Sequence, residues 1–192
     1  MSLTRETARA VRMTLVLWVL TAVLYPLLIL AIGQVAFPFQ ANGSLIQNGE
    51  TVVGSALIGQ EFQSDEYFWS RPSTINYSQG EDAAPTGLSG ASNLAPGNSD
   101  LLERIEQSVD QLLAAGIQPT ADLVYASGSG LDPHVAIATA QAQINRVAQA
   151  RKLSPDQIQP LIKQHTDRRF LGIFGEPGVN ILNLNLALDQ LN

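Results

Sequence analysis

The stretch Met13 to Ile32, MTLVLWVLTAVLYPLLILAI, contains 20 residues and no charged side chain. At a rise of about 1.5 Å per residue, a helix of this length crosses a hydrocarbon core of about 30 Å. Its Leu, Ile and Val residues each favour insertion by roughly 0.3 to 0.6 kcal/mol, which outweighs the weakly polar positions. Pro26 is expected to kink the helix without breaking it. The sequence therefore predicts a transmembrane helix over residues 13–33.

The charges on either side of this helix predict its orientation. Arg5, Arg9 and Arg12 precede it, whereas the segment from Gly33 to Glu50 has no Lys or Arg. Because positive charge is retained on the cytoplasmic side, residues 1–12 are expected in the cytoplasm and the rest beyond the membrane. The chain is thus predicted to be a single-pass protein of the inner (plasma) membrane, with its C-terminal part in the periplasm.

A cleaved signal peptide is the alternative interpretation of this N-terminus, since it also has a basic start and an apolar middle. The apolar run is longer than the core of about 7 to 15 residues that signal peptides have. Gln34-Val35-Ala36 is also a poor small-x-small cleavage site. An uncleaved signal anchor is the better interpretation.

The remaining residues are enough for one domain with its own core. We predict a juxtamembrane linker over residues 34–43 and one extracytoplasmic α/β (α+β) domain over residues 44–192. Without the three N-terminal arginines and Glu6, the chain has a net charge of about −8. Nucleic acid is therefore excluded as a partner, because its phosphates need a clustered basic surface. The chain has no cysteine, which excludes disulfides and thiol catalysis.

Local patterns predict the elements of this domain. A hairpin is expected around Asn48-Gly49, the dipeptide that favours a type I′ turn, and a helix capped by Ser99 or Asp100 is expected to end at Gly116. The composition of Thr120–Ala126 is typical of a strand. Four further features are predicted: an ordered contact loop over residues 76–98, a helix from Asp132-Pro133 to about Lys152, a short helix capped by Ser154, and a strand passing into a helix over Val179–Leu188.

The chain lacks the usual signatures of an active site. It contains no P-loop string, and the glycines beside Ser129 do not have the spacing of a nucleophile elbow. His134 and His165, its two histidines, are too isolated in sequence to indicate a zinc site. The acidic residues Glu61, Asp65 and Glu66 are better interpreted as solvated side chains than as general acids or bases.

Arg71 stands between an aromatic run, Tyr67-Phe68-Trp69, and Pro72. Its guanidinium could stack on an aromatic ring or pair with an acid of a partner subunit. An ion pair inside the folded domain is the slightly favoured interpretation.

Several unusual strings occur in a fixed order along nearly the whole chain. They are Gly54-Ser55-Ala56-Leu57-Ile58-Gly59-Gln60, Tyr67-Phe68, Arg71-Pro72-Ser73, Ser89-Gly90-Ala91-Ser92-Asn93-Leu94, Ser127-Gly128-Ser129-Gly130-Leu131-Asp132-Pro133-His134, Gly175-Glu176-Pro177-Gly178-Val179-Asn180 and Leu184-Asn185-Leu186-Ala187-Leu188-Asp189. Together with one N-terminal apolar span, they resemble the C subunit family of the Kdp potassium-transporting P-type ATPase.

The resemblance implies a non-catalytic, accessory subunit of an ATP-driven potassium uptake pump. Its implied partners are a channel-like potassium-binding subunit, a catalytic P-type ATPase subunit and a very small membrane peptide. It also implies the role of a catalytic chaperone that raises the affinity of the catalytic subunit for ATP. The motifs supply candidate residues for subunit contacts: Gln60, Tyr67, Arg71, Ser73, Ser89, Asn93, Ser129, Asp132, His134, Glu176 and Asn180.

Contact with ATP fits poorly with the predicted orientation, because ATP is cytoplasmic and nearly all of this chain is predicted outside. Leu88 to Ser92 resembles the signature loop of ABC ATPases only weakly. We therefore expect ATP to bind the catalytic subunit, with no catalytic or metal site on this chain. Direct ATP binding by this chain is the less favoured alternative. The acidic domain is expected over the potassium entrance, where it stabilises the complex. A membrane-tethered extracytoplasmic enzyme and a solute-binding module remain as alternatives.

Overall fold

The computed structural model describes residues 3–79 and 88–191. The backbone contacts divide the chain into two compact units, Met1–Val53 and Gly54–Asn192. The middle of the predicted loop 76–98 lies outside the described residues. Each unit is described separately below.

One long helical segment dominates the first unit. It consists of α1 (Leu3–Val19), a π-helical turn (Leu20–Leu24) and α2 (Tyr25–Ala36), which together form a helix of 34 residues with a mean hydropathy of 2.6 in its most apolar window. The side chains of that window are all exposed. This apolar helix contains the predicted transmembrane segment.

The π-helical turn lies directly before Pro26. Proline has no N–H to donate and its ring presses against the preceding turn, so a proline strains an ordinary α-helix. Here the Tyr25 N–H donates to the Leu20 carbonyl, five residues back, which widens the turn just before the ring. The helix continues through Pro26, in agreement with the prediction that this residue would not break it.

A short helix and a hairpin follow the long helix. The helix is α3 (Pro38–Ala41), and β1 (Leu45–Asn48) and β2 (Thr51–Ser55) form a two-stranded sheet. The predicted hairpin is confirmed, but its two turn residues are Gly49 and Glu50, one position further along than expected. Of these two, only Gly49 has a positive φ, so the predicted type I′ turn, which needs two, is wrong.

The second unit combines five helices with a small antiparallel sheet. The helices of the described residues are α4 (Ser99–Ala114), α5 (Ala121–Val124), α6 (Ile137–Arg151), α7 (Pro155–Gln164) and α8 (Ile181–Asp189), with one 3₁₀ turn at Asn76–Ser78. The strands are β3 (His134–Ala136), β4 (Thr166–Asp167) and β5 (Gly178–Asn180), in the order β3-β5-β4. Together with the apolar helix, this confirms the predicted fold class.

The main core lies between the sheet and helices α6, α7 and α8. The centre of the sheet contributes Val135 and Val179, which are paired in register. Helices α7 and α8 pack against α6 with apolar residues at helical spacing, and Phe68 enters from an extended segment. The buried members are Phe68, Val135, Ala140, Ile144, Val147, Ala148, Ile158, Ile162, Val179, Ile181, Leu184 and Leu188. A second, smaller cluster joins α4 to α5 through Leu112, Ile117, Leu123 and Val124.

Two buried side-chain amides hold the extended segment that contains Phe68 and Trp69. The Phe68 N–H donates to Asn185 Oδ1 at 2.9 Å, and Asn185 Nδ2 donates to the Phe68 carbonyl at 3.0 Å. Gln143 makes the same pair of bonds with Trp69, at 2.8 and 3.2 Å. Each amide makes the hydrogen bonds that a neighbouring strand would make in a sheet. The N–H and carbonyl groups of Phe68 and Trp69 therefore have partners although these residues belong to no sheet.

The strand predicted over Thr120–Ala126 is wrong, because Ala121–Val124 form the short helix α5. Thr120 accepts the N–H groups of Leu123 and Val124 at 3.1 Å and so starts a helical turn. The composition favoured a strand, but the turn places Leu123 and Val124 in the smaller core and leaves Asp122 facing away from it.

The predicted start of α6 at Asp132-Pro133 is also wrong. His134, Val135 and Ala136 pair with β5 as strand β3, and the helix begins only at Ile137. Asp132 nevertheless accepts a hydrogen bond from the His134 N–H at 3.0 Å, as a capping aspartate would. The predicted end holds: the helix ends at Arg151, and Lys152 adopts the left-handed conformation.

The other predicted helix ends agree with the structure, except for the residue that caps the start of α4. Asn98, not Ser99 or Asp100, is the N-cap of α4, and its side chain accepts from the Asp100 N–H at 2.7 Å. Gly116 has a φ of +71°, and the Ile117 N–H donates to the Leu112 carbonyl, as expected of a glycine-terminated helix. Ser154 forms the predicted capping box, and β5 passes directly into α8.

We predict that Asn185→Leu lowers the free energy of unfolding by about 2 to 4 kcal/mol. The substitution keeps the branched shape of the side chain but leaves the buried N–H and carbonyl of Phe68 without a partner. Urea unfolding of the full chain in detergent, followed by tryptophan fluorescence, measures the change. The matched control is Asn145→Leu at an exposed position of α6, with an expected change within about 0.5 kcal/mol. Equal stability of the two variants would contradict the role of Asn185.

Candidate functional site

Three motif segments that are distant in sequence meet in the second unit. Segment 71–74 lies beside segment 127–132, since the Ser127 N–H donates to the Pro72 carbonyl at 2.9 Å and Ser73 Oγ donates to the Gly130 carbonyl at 2.8 Å. Segment 89–90 lies on the other side, where Ser89 Oγ and the Gly90 N–H both donate to the Ser129 carbonyl. We call this group, Arg71, Ser73, Ser89, Asp122, Ser129, Gly130 and Asp132, the Arg71 junction.

Arg71 joins two acids of the junction. Its guanidinium makes a short hydrogen bond with Asp122 and lies 3.4 Å from Asp132 Oδ2. The side chains of Arg71 and Asp122 are only 29% and 15% exposed, so water screens this pair weakly. The favoured interpretation of Arg71, an ion pair inside the domain, is therefore confirmed.

Asp122 also accepts hydrogen bonds from a backbone N–H and from a hydroxyl group. Its second oxygen accepts from the Ala136 N–H at 2.7 Å and from Thr139 Oγ1 at 3.2 Å. One carboxylate thus connects α5 to the start of α6 and to Arg71. A buried acid with this many donors is a structural anchor, and breaking one of its bonds would leave charge uncompensated.

His134 connects the junction to the small sheet. Its Nε2 lies 2.7 Å from Asp167 Oδ2, and its Nδ1 lies 3.6 Å from Asp132 Oδ1. Asp132 raises the pKa of His134, burial opposes the increase, and Asp167 adds to it. Burial by itself would raise the pKa of Asp132, but the hydrogen bonds from His134 and the charge of Arg71 outweigh it and lower that pKa below its usual range.

Gly130 allows the chains of the junction to approach closely. It has a φ of +70°, and a Cβ at this position would lie 2.6 Å from Ile75 Cγ1 and 2.7 Å from the Gly90 carbonyl oxygen. Any side chain would therefore separate segments 89–90 and 127–132. Gly128, two residues earlier, has open space around it and no positive φ.

The other predicted candidates lie apart from the junction. The Gln60 carbonyl accepts from Ser70 Oγ at 2.8 Å, and Asn93 bonds locally to the Ala91 carbonyl. Glu176 pairs with Arg169 in an exposed hairpin. Asn180 is buried at the end of β5, where its side chain caps α8 through the Asn183 N–H and donates to the Ala56 carbonyl.

Tyr67 belongs to a separate group of aromatic and cationic side chains. Its hydroxyl donates to Asp189 at 3.2 Å, and Arg151 lies 4.8 Å above its ring while pairing with the same acid. Arg146 stacks on Trp69 at 4.2 Å and donates to the Tyr67 carbonyl. These cations bind the 64–69 segment to α6 and lie mostly inside the domain.

A cleft of about 530 Å³ lies between segment 61–77 and helix α4. Its walls include Trp69, Arg71 and Tyr77 on one side and Gln111 and Leu112 on the other. The volume is within the range of small-ligand sites, but the Arg71 cation in its wall is already paired with two acids. Burial raises the pKa of Tyr77, whose hydroxyl donates to the Arg71 carbonyl and so remains neutral.

The described residues do not assemble a catalytic pair. The hydroxyls of Ser127 and Ser129 lie 3.2 Å apart and accept N–H groups of their own loop, and within residues 3–79 and 88–191 no hydrogen bond joins a serine to a histidine. Over the same ranges, no cluster of three His, Asp or Glu residues could hold a metal ion. The junction holds loops in place and presents them at the surface.

The same motifs recur in a known protein family. Residues 7–190 match the family model described as KdpC, K⁺-transporting ATPase, c chain. The chain belongs to the KdpC family. It is 63% identical to the potassium-transporting ATPase KdpC subunit of Synechocystis sp. over 94% of this chain and 96% of that protein. It is 50% identical to the KdpC subunit of Gloeobacter violaceus over 100% and 99%, and 48% identical to that of Sorangium cellulosum over 94% and 95%.

Membership of the KdpC family makes this chain an accessory subunit of a potassium-transporting ATPase. In the part of the chain that the structure describes, one helix is long and apolar enough to cross a membrane, which agrees with a single-pass membrane subunit. The resemblance inferred from the motifs is thereby confirmed. The role of each individual candidate residue in subunit contacts stays a prediction.

Sequence reasoning missed three residues of this region. Asp122 lies in the strand predicted over Thr120–Ala126, and Tyr77 lies in the predicted loop 76–98. No role for Asp167 is predicted from the sequence. A signal for Asp122 was available, because an acid inside the apolar run Ala121-Asp122-Leu123-Val124 needs a cation when the run is buried. Arg71, beside aromatic residues, was the matching cation.

We predict that Gly130→Ala lowers the free energy of unfolding by at least about 2 kcal/mol. Its Cβ would combine left-handed backbone strain with the clash against Ile75 and the Gly90 carbonyl. The matched control is Gly128→Ala, which meets no atom within 4 Å and should change stability by less than about 1 kcal/mol. Urea unfolding of both full-length variants makes the comparison. If Gly130→Ala were no less stable than the control, close packing at the junction would be refuted.

Proposed function

We propose that this chain is a non-catalytic subunit whose acidic domain lies outside the membrane, over the entrance through which potassium reaches the transport subunit. Family membership carries the potassium-transport part of this proposal. The single apolar helix and the three arginines before it support the location of the domain. The domain stabilises the complex through the partners implied by the resemblance: the channel-like subunit, the catalytic subunit and the small membrane peptide.

The net charge of about −8 after residue 12 supports a second part of the proposal. An acidic surface around a pore entrance raises the local concentration of cations and disfavours anions. Helix α4 supplies three exposed acids, Glu103, Glu106 and Asp110, on the face that does not contribute to the core. The domain therefore attracts potassium toward the entrance.

The proposed location also limits how this subunit affects ATP. ATP is on the cytoplasmic side, so an increase in ATP affinity acts through the partner subunits, by favouring the conformation that binds ATP. The engaged hydroxyls of Ser89, Ser127 and Ser129 support this indirect role, because they already bond to groups of the 127–131 loop. ATP binding itself belongs to the catalytic subunit.

The orientation is tested by cysteine labelling, which is clean because the chain has no cysteine of its own. We predict that Gln159→Cys in α7 reacts with a membrane-impermeant maleimide added to intact spheroplasts. Ala8→Cys in α1 should react only after the membrane is permeabilised. The reverse pattern, or labelling of the Ala8 variant in intact spheroplasts, would overturn the proposed orientation.

Cation attraction is tested by neutralising Glu103→Gln, Glu106→Gln and Asp110→Asn together. We expect the KM for potassium uptake by the assembled complex to rise about two- to five-fold at low ionic strength, with the difference disappearing at about 0.5 M salt because of screening. The matched control exchanges the same three acids between Asp and Glu, which keeps the charge. Co-purification verifies assembly of both variants. An unchanged KM in an assembled complex would refute cation attraction and leave the location untouched.

A further inference from the structure

In the second unit, an exposed hairpin between β4 and β5 carries four large apolar side chains. Residues 167–176 are all exposed, and their tip bears Phe170, Leu171, Ile173 and Phe174. These four side chains are 61–73% exposed, whereas most other Phe, Leu and Ile residues of this unit are buried or half-buried. At roughly 150 Å² for each of these side chains, their exposure leaves about 400 Å² of apolar surface at the tip. Apolar patches of this size are often functional.

The hairpin is held in shape by its own hydrogen bonds. The Phe170 N–H donates to the Phe174 carbonyl at 2.8 Å, and the Gly172 N–H donates to the Arg169 carbonyl at 3.0 Å. At its base, Arg169 bonds both oxygens of Glu176 at 2.8 Å. The apolar side chains thus project from a closed turn, and little conformational entropy is lost when they are buried in another medium.

The charges near this hairpin differ from those of the rest of the domain. Lys163, Arg168 and Arg169 are three of the eight basic residues that follow residue 12. The two acids of the hairpin are occupied, Asp167 by His134 and Glu176 by Arg169. Within the described residues, Lys163 and Arg168 have no ion pair, so the base of the tip carries uncompensated positive charge in an otherwise acidic domain.

We propose that this hairpin inserts its tip into the surface of the bilayer that holds the N-terminal helix, with Lys163 and Arg168 facing anionic lipid headgroups. Phe, Leu and Ile side chains beside cations are the combination that interfacial anchors use. The apolar helix already tethers the chain to a membrane, which gives the hairpin a high effective lipid concentration. The area of the tip is less than the roughly 800 Å² per partner of a standard protein interface, but it suffices for shallow insertion.

The contact would be a second attachment of this subunit to the membrane. The apolar helix already supplies the stable anchor, so the hairpin contact can be weak and reversible and still keep the tip at the lipid surface. This inference depends on membrane anchoring of the chain alone and is independent of cation attraction by α4. A pocket on a partner subunit is the rival occupant, and the experiment distinguishes it from lipid.

The test uses Ile173→Cys, a substitution at an exposed position, labelled with a nitroxide. The full chain is measured in nanodiscs of phosphatidylcholine and phosphatidylglycerol (3:1), first alone and then in the assembled complex. We expect the label to collide more often with O₂ than with a water-soluble nickel chelate in both preparations. Asp110→Cys, labelled in the same way, is the aqueous control for the chain alone. Water-like accessibility of label 173 in the chain alone would overturn the proposal.

Low accessibility of label 173 to both reagents in the complex would overturn it as well, because a protein pocket would then cover the tip. The headgroup part is tested by Arg168→Gln and by nanodiscs of phosphatidylcholine alone. Either change should make the position of label 173 measurably shallower. Equal depth in all preparations would refute the contribution of anionic lipid.

Discussion

The second unit depends on hydrogen bonds to the backbone of Phe68 and Trp69, a segment that has no strand beside it. Phe68 is fully buried, so its N–H and carbonyl need partners within the protein. Asn185 and Gln143 provide them from two different helices, and each amide both accepts and donates. This arrangement lets a small domain with three short strands bury a long irregular segment, and it fixes the segment against α6 and α8 at the same time.

The Arg71 junction provides partners for charged side chains that are partly removed from water. Arg71 and Asp122 are partly removed from water, which is favourable only when each has several partners. Asp132 and His134 extend the network to the sheet, where Asp167 completes it. Three of the family motifs therefore meet at a structural crossing whose serines and glycine shape the surface loops. The other strings that resemble the family lie elsewhere in the unit, as with Tyr67 beside Asp189 and Asn180 at the start of α8.

The sequence predicted the features that depend on local chemistry. The apolar helix, the capping box at Ser154 and the glycine at the end of α4 each follow from interactions within a few residues. It failed where distant residues decide. His134 to Ala136 become a strand because β5, more than 40 residues later, pairs with them, and Ala121 to Val124 form a helix although the composition of Thr120 to Ala126 favours a strand. Asp167 was missed for the same reason, since nothing local shows that it pairs with His134 across the fold.

The amide bond between Asn185 and Phe68 joins residues 117 positions apart. The Phe68 segment precedes α8 by more than 100 residues, so it is synthesised well before the helix that supplies Asn185. Until then, Phe68 and its unpaired backbone stay open to water and to other chains. Synthesis of this subunit therefore passes through an aggregation-prone intermediate in which this segment is not yet covered.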